Sequence, residues 1–361
     1  MQSLLENNLF VLVSFCFVTK GLLQYYIIIV QLSELKLLLM TIEIRNPIII
    51  DYRELISSKD LSKEIKLSIG SDNALGILLV KDIPNYAKLR QRLLTIVPKL
   101  AALPKHILAK YEVPEANWWI GWSHGKELRA SDKKPDVNKG SFYFNPTADN
   151  PKVNCHTSIY LSQPNVWPKE IDDFEAACKD LAKLMVFVGT LIARQCDKFC
   201  EREIENYAKG TIESIVATGT CHKARALHYF PSKENNNVDQ DNLCGWHLDN
   251  SMLTALTRPL YNGSTGSLES DDCGLFIKTR DGTVSSVSIP SDCLAFQTGE
   301  ALQLYTNELI KATPHCVSSS LGLSHLSRNT LAIFMQPEGD FKLKNDYTFD
   351  ELCQDVVKRH H

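Results

Sequence analysis

Long runs of one charge are missing from this sequence, and so are the usual signs of a cross-linked or repeated chain. Lys and Arg are scattered, no basic run occurs, and the formal net charge of the 361 residues is −3. That removes the electrostatic footprint of a nucleic-acid or anionic-lipid binder. Eleven cysteines include no Cys-x-x-Cys pair and no regular spacing. Reduced thiols in a cytoplasmic setting are therefore expected, not a disulfide frame. Cys196 and Cys200 fall on a helical pattern as small core residues. There are no internal repeats. A basic segment ahead of the first apolar stretch is also lacking, since only Glu6 precedes it, so a secretory signal is not indicated.

That stretch, Leu9–Val30, has the length of a bilayer span but carries Lys20 at its middle, which is costly in hydrocarbon. Residues 1–39 are read as an apolar extension, with a membrane anchor through residues 9–30 as the alternative. Met40 is followed at once by a strand-like segment.

What is present is a globular composition, 44% hydrophobic and 22% charged, able to bury a large core. "NPIIIDYREL" (from Asn46) and "ALGILLVKDIP" (from Ala74) are β-branched runs around a segment with helical spacing that ends on Gly70, a β-α-β start. "NYAKLRQRLLTIVPKLAAL" predicts a helix interrupted at Pro98. "NWWIGWSHGKE" and "DVNKGSFYFNP" read as loops, with Trp118, Trp119 and Trp122 packed beneath them. Phe174, Cys178, Leu181, Met185 and Val188 mark one face of a long helix over about residues 171–208.

From Cys221 the period changes to two. "ARALHYFP", "SMLTALTRPLY", "CLAFQTGEALQLYT", "ATPHCVSSS" and "RNTLAIFMQ" are strand-like, and Asp281-Gly282 between "GLFIKT" and "TVSSVSI" signals a hairpin. Many short strands predict a jelly-roll-like barrel or sandwich. "KENNNVDQDN" (Lys233–Asn242) reads as a surface loop. Thr348 and Glu351 form a capping box that opens a C-terminal helix. Asn262-Gly263-Ser264 matches a glycosylation acceptor, which a cytoplasmic chain would not present.

The chemistry concentrates in "CGWHLDN", where His247 and Asp249 are two apart and so share a strand face. His315, in "KATPHCV", supplies a second imidazole. Two imidazoles and a carboxylate leave positions open on a metal, the facial arrangement suited to Fe(II) and O₂. Zinc with Cys316 or Cys244 is the competing reading, and period two turns Cys244 away from the His247 face. Arg328 is a planar donor suited to a carboxylate, and Thr330, two further on, faces the same way.

These segments, together with "SRNTLAIFMQP", resemble the isopenicillin N synthase-like Fe(II)/2-oxoglutarate-dependent dioxygenases over about residues 46–340. The resemblance implies a double-stranded β-helix (jelly-roll) core in an α+β, mainly β protein with a long supporting helix and a mixed N-terminal region. It divides the chain into an N-terminal dioxygenase-type region at 46–165, the helix at 166–215, the core at 216–340 and a helical tail at 341–361. It assigns Fe(II) to His247, Asp249 and His315, the 2-oxoglutarate carboxylate to Arg328 and Thr330, O₂ to the open metal position, and a small-molecule substrate. His228, Tyr229, Phe230 and Gln297 are candidate pocket residues. Two features depart from the family. The gap from His315 to Arg328 is long, implying an inserted bulge at "SSSLGLSHLS". In "LHYFP", Phe230 stands at the position of the family's co-substrate Tyr, with Tyr229 as the neighbouring substitute. An Fe(II) oxidase that does not use 2-oxoglutarate, and a non-catalytic binding module of the same fold, are the rival readings.

Overall fold

The computed structural model describes residues 42–44, 46–57, 59–129, 133–151, 163–231, 243–271, 273–318, 323 and 325–360. The Leu9–Val30 stretch, the Asn-rich loop at 233–242 and most of the expected bulge after His315 lie outside these. The elements below belong to one unit, Ile44–His361.

The opening β-branched runs form β1 (Ile48–Asp51) and β2 (Ile77–Lys81), paired in parallel. α1 (Tyr86–Ala101) follows and runs through Pro98, not broken by it as expected. The proline falls in the last turn, where its missing N–H frees one carbonyl, that of Leu94. The Asn262 side chain donates to that oxygen at 3.2 Å, so the kink-forming defect is satisfied from outside. The same bond gives Asn262 a structural role.

The two segments read as loops are strands, β3 (Gly121–His124) and β4 (Lys139–Phe144). Their Gly and aromatic content looked like turn chemistry. Packing decides otherwise: Phe142 meets Phe174 edge-on at 5.0 Å and Phe144 lies 5.3 Å from Trp167. Tertiary contact of this kind overrides local propensity. α2 (Phe174–Glu203) is the long helix, and α3 (Thr211–Thr218) is tied to it by Asp197, whose carboxylate accepts from the Ile212 and Glu213 amides at 3.0 and 2.7 Å.

Then come β5 (Lys223–Tyr229), β6 (Cys244–His247), β7 (Leu253–Thr257), β8 (Leu260–Gly263) and β9 (Gly266–Leu268). β10 (Leu275–Lys278) and β11 (Val284–Val287) form the hairpin at Asp281-Gly282, with Gly282 at φ +86°. "CLAFQTGEALQLYT" is a strand only at first: β12 (Leu294–Thr298) gives way to α4 (Glu300–Tyr305). β13 (His315–Val317) and β14 (Ser327–Met335) complete the strands used below, and α5 (Phe349–His360) closes the chain. Its capping box is reciprocal: Thr348 N donates to Glu351 Oε2 at 2.7 Å and Glu351 N to Thr348 Oγ1 at 3.3 Å.

A large sheet runs β1-β2-β12-β7-β14-β5-β4-β3, antiparallel after its first pair, and a smaller antiparallel sheet runs β11-β10-β13-β6. Alternation sorts the large sheet's side chains into two cores. Leu78, Val80, Leu294, Phe296, Leu331 and Ile333 point to one side and pack with α1 and α2 residues such as Leu93, Met185 and Ile192. Ile77, Leu79, Leu227, Tyr229, Ala295 and Ala332 point to the other and pack with Leu275, Ile277, Val287 and Val317 of the small sheet. The result is helices, large sheet and small sheet in layers, a mixed architecture built on antiparallel sheets. Among the described residues no helix is long and apolar enough to cross a membrane.

Candidate metal centre

His247 ends β6, His315 begins β13, and the register pairs the two directly. Their ring centroids are 4.2 Å apart. Each Nδ1 lies against a backbone carbonyl, Gly245 O at 2.8 Å for His247 and Thr313 O at 3.0 Å for His315. A carbonyl only accepts, so both Nδ1 atoms carry a proton, and each Nε2 offers its lone pair to a metal when its ring is neutral. Those Nε2 atoms stand 3.8 and 3.9 Å from Asp249 Oδ1. One ligand atom from each of the three residues falls within 4.8 Å of the others. Donor atoms of that type at those separations fit a single divalent ion.

Asp249 is fixed from behind. Its carbonyl accepts from Glu300 N at 2.7 Å at the start of α4. Gly299 makes the approach possible: a Cβ there would come within 2.8 Å of Asp249 O and 2.2 Å of Ser251 O. Asp249 and His315 are buried, and His247 is partly open. Burial disfavours a charge on His247, but the Cys244 sulfur and Asp249 outweigh it and raise its pKa to about 9. His315 shifts the other way, because burial and the neighbouring His247 both resist a second proton.

Cys244 is not where period two put it. Between the His247–His315 and Cys244–Val317 pairs, β6 carries one extra residue, a β-bulge. An extra residue resets the alternation, so Cys244 shares the His247 face, its Sγ 3.8 Å from His247 Nδ1. The sulfur therefore sits on the protonated side of the ring, away from Nε2. On its far side is Lys139 Nζ at 4.0 Å, which also bonds Glu127 at 3.1 Å and Asp136 at 3.0 Å. Arg225 joins this buried cluster through Glu127 at 2.6 Å and Ser141 at 2.9 Å. Sequence reasoning missed the cluster, because Glu127, Asp136 and Lys139 lay in segments read as loop.

Arg328 and Thr330 face the space between the sheets, as does Ala332 two residues on. Arg328 is paired in register with Tyr229, whose ring centroid is 5.1 Å from the guanidinium. Its Nη2 donates to Cys273 O at 2.9 Å, while Nε is buried with no partner. A buried guanidinium N–H without a partner is free to donate to an anion.

The remaining candidates divide by face. Tyr229, not Phe230, lies beside Arg328. His228 points to the opposite side of the sheet, its Nδ1 donating to Asn329 Oδ1 at 2.8 Å, with the Phe230 ring 4.6 Å away. The structure does not bring these two to the metal ligands. Gln297 faces the inter-sheet space beside Ala295 and is buried, with neither amide atom bonded. Trp122 is core, and Trp118 donates to Glu112 at 3.3 Å beneath Lys126. Cys196 and Cys200 are buried in α2.

No family model matches the chain, and no curated protein matches it. Solved structures do. A protein of Caulobacter crescentus assigned to the 2OG-Fe(II) oxygenase family superposes with a TM-score of 0.67 at 18% identity, over 88% of this chain and 100% of that one. The fold is that of the 2OG-Fe(II) oxygenases. A full-length Neurospora crassa protein, solved in complex with alpha-KG, gives 0.65 at 19% identity, over 88% and 97%. JOX2, in complex with 2OG, Fe and JA, gives 0.63 at 16% identity, over 88% and 86%.

Proposed function

We propose that this protein is an Fe(II)- and 2-oxoglutarate-dependent dioxygenase that oxidises a small molecule, with C–H hydroxylation as the default outcome. The observation that carries the reading is the convergence of His247, Asp249 and His315 within 4.8 Å. The unpaired Arg328 Nε on the facing sheet supports it. The layered sheets, read as a double-stranded β-helix, are the scaffold such a site uses, and the solved structures of like fold include some holding 2OG or Fe.

In this reading His247, Asp249 and His315 hold the iron, which when bound supplies the one-electron chemistry that lets O₂ oxidise both 2-oxoglutarate and substrate. The net reaction takes 2-oxoglutarate, O₂ and R–H to succinate, CO₂ and R–OH. The chain's own residues orient and shield. The Nδ1–H bonds to Gly245 and Thr313 keep both imidazoles aimed. Arg328, with the Thr330 and Tyr229 hydroxyls, binds the distal carboxylate. Leu227, Leu275, Val317 and Ala332 belong to the apolar core between the sheets, which keeps water out. Tyr229 fills the place that Phe230 had left in doubt, which weakens the case for an oxidase independent of 2-oxoglutarate.

The test is purified protein with Fe(II), ascorbate and 2-oxoglutarate, scoring succinate and O₂ uptake against a metabolite panel. Succinate equimolar with 2-oxoglutarate consumed is expected. O₂ uptake indifferent to 2-oxoglutarate would transfer the assignment to the oxidase reading. Failure to bind any divalent ion would leave a non-catalytic module.

A further inference from the structure

Among the described residues, Gln297 is the one carboxamide between the sheets whose donor and acceptor are both buried and both unpaired; the smaller Ser285 hydroxyl on β11 is unpaired there too. Its cross-strand neighbours, Thr254 and Ile77, offer no partner. The Thr254 hydroxyl is engaged with Ser251 Oγ at 2.8 Å, and Ile77 has none to give. Carboxamides are not left unpaired in protein interiors without cause.

β12 delivers this residue to the metal end of the inter-sheet layer. Thr298 O, one residue on, accepts from Thr313 N at 3.1 Å, and Thr313 O accepts from His315 Nδ1 at 3.0 Å. Glu300 N, three residues on, bonds Asp249 O at 2.7 Å. Arg328 belongs to the other end: Gln297 is level with Thr254, Thr254 with Phe334, and Phe334 lies six residues along β14 from Arg328. On the same face Leu256 and Phe334 are only half-buried.

From this we infer that Gln297 reads the substrate, and that the substrate presents an N–H beside a C=O, as in a lactam, a cyclic imide or a primary amide. The inference rests on the dioxygenase reading for the meaning of "substrate". The chemistry is one of complementarity. Nε2 needs an acceptor and Oε1 needs a donor. A carboxylate such as 2-oxoglutarate offers acceptors only and would leave Oε1 unpaired; a hydrocarbon satisfies neither. A cis N–C=O edge satisfies both in one two-bond ring, and discrimination by a site built to hydrogen-bond is strong.

Ligand-observed NMR on protein loaded with Mn(II) and 2-oxoglutarate tests it, using 2-pyrrolidinone and succinimide against their N-methyl forms and propionate. The N–H compounds are expected to bind about 10-fold or more tighter than the N-methyl ones, the worth of roughly one well-placed bond. Gln297→Met is expected to erase that preference. It is also expected to leave the thermal midpoint of the unliganded protein unchanged or higher, because an unpaired polar group has been removed; a structural glutamine would lower it. Equal binding of methylated and unmethylated forms, no binding of any, or a preference that survives Gln297→Met would overturn the inference. Mn(II) and 2-oxoglutarate affinities, measured separately, show whether the dioxygenase reading itself fails.

Discussion

Asp249 contributes the only negative charge among the three grouped ligands, and its position depends on Gly299 having no side chain. Asp249→Ala is expected to lower Mn(II) affinity and succinate formation by more than ~100-fold, beyond the range seen for outer partners of metal ligands. Calorimetric metal titration and turnover check this. Arg328→Ala removes charge-assisted bonds worth about 1.5–3 kcal/mol, so 2-oxoglutarate binding is expected to weaken roughly 10- to 150-fold. Mn(II) affinity should stay within about 3-fold; an equal loss of both would mean that Arg328 only holds the sheets together. At this scale the sequence was legible where a shared ligand set fixes residue type and spacing, as in the grouping of His247, Asp249 and His315. It misled where a face had to be chosen. Tyr229 and Phe230 are adjacent aromatics, and only pairing with Arg328 shows which one looks inward. Cys244 was misplaced because a bulge leaves no signature in residue type.

The elements were legible in proportion to their periodicity. α2 shows its apolar face over eight turns, whereas β3 and β4 are strands by virtue of what they pack against. Gly189, inside α2, marks where that helix meets β14: a Cβ there would lie 2.3 Å from Met335 Sδ. Gly189→Val is expected to cost ~1–3 kcal/mol through overpacking, seen as a lower urea midpoint with little change in metal affinity. The β5 entry carries a pH dependence. Buried His222 accepts from Gln336 N at 3.0 Å through Nδ1 and donates through Nε2 to Val216 O at 2.9 Å. It is therefore held neutral, and burial lowers its pKa below the ordinary value. The unfolded chain takes up this proton near pH 6.5 and the folded chain resists it. The stability from His222 is thus complete above about pH 6.5 and is lost as pH falls below it. His222→Gln is expected to be less stable at pH 8 and to show a shallower decline from pH 6.5 to 5, measured by urea melts.

At the scale of the molecule, none of the nine described cysteines is in a disulfide, and Cys244 alone among them is not buried. Brief treatment of the native protein with a thiol reagent, followed by peptide mapping, is expected to label Cys244 well ahead of the other eight; uniform labelling would mean that the layers open readily. The layered plan was legible as a class, because strand periodicity after Cys221 and one long helix leave few ways to arrange a core. Which strand neighbours which was not, since pairing depends on residues far apart in the chain. One pairing has a further consequence. Among the described residues β6 leans on a single neighbour, β13, and these two strands bring His247 and His315 together. A ferrous ion gripped by both would rivet the outermost strand to the body of the protein. Chelation would then loosen this margin first, and amide hydrogens from Cys244 to His247 would exchange with solvent long before those of β14.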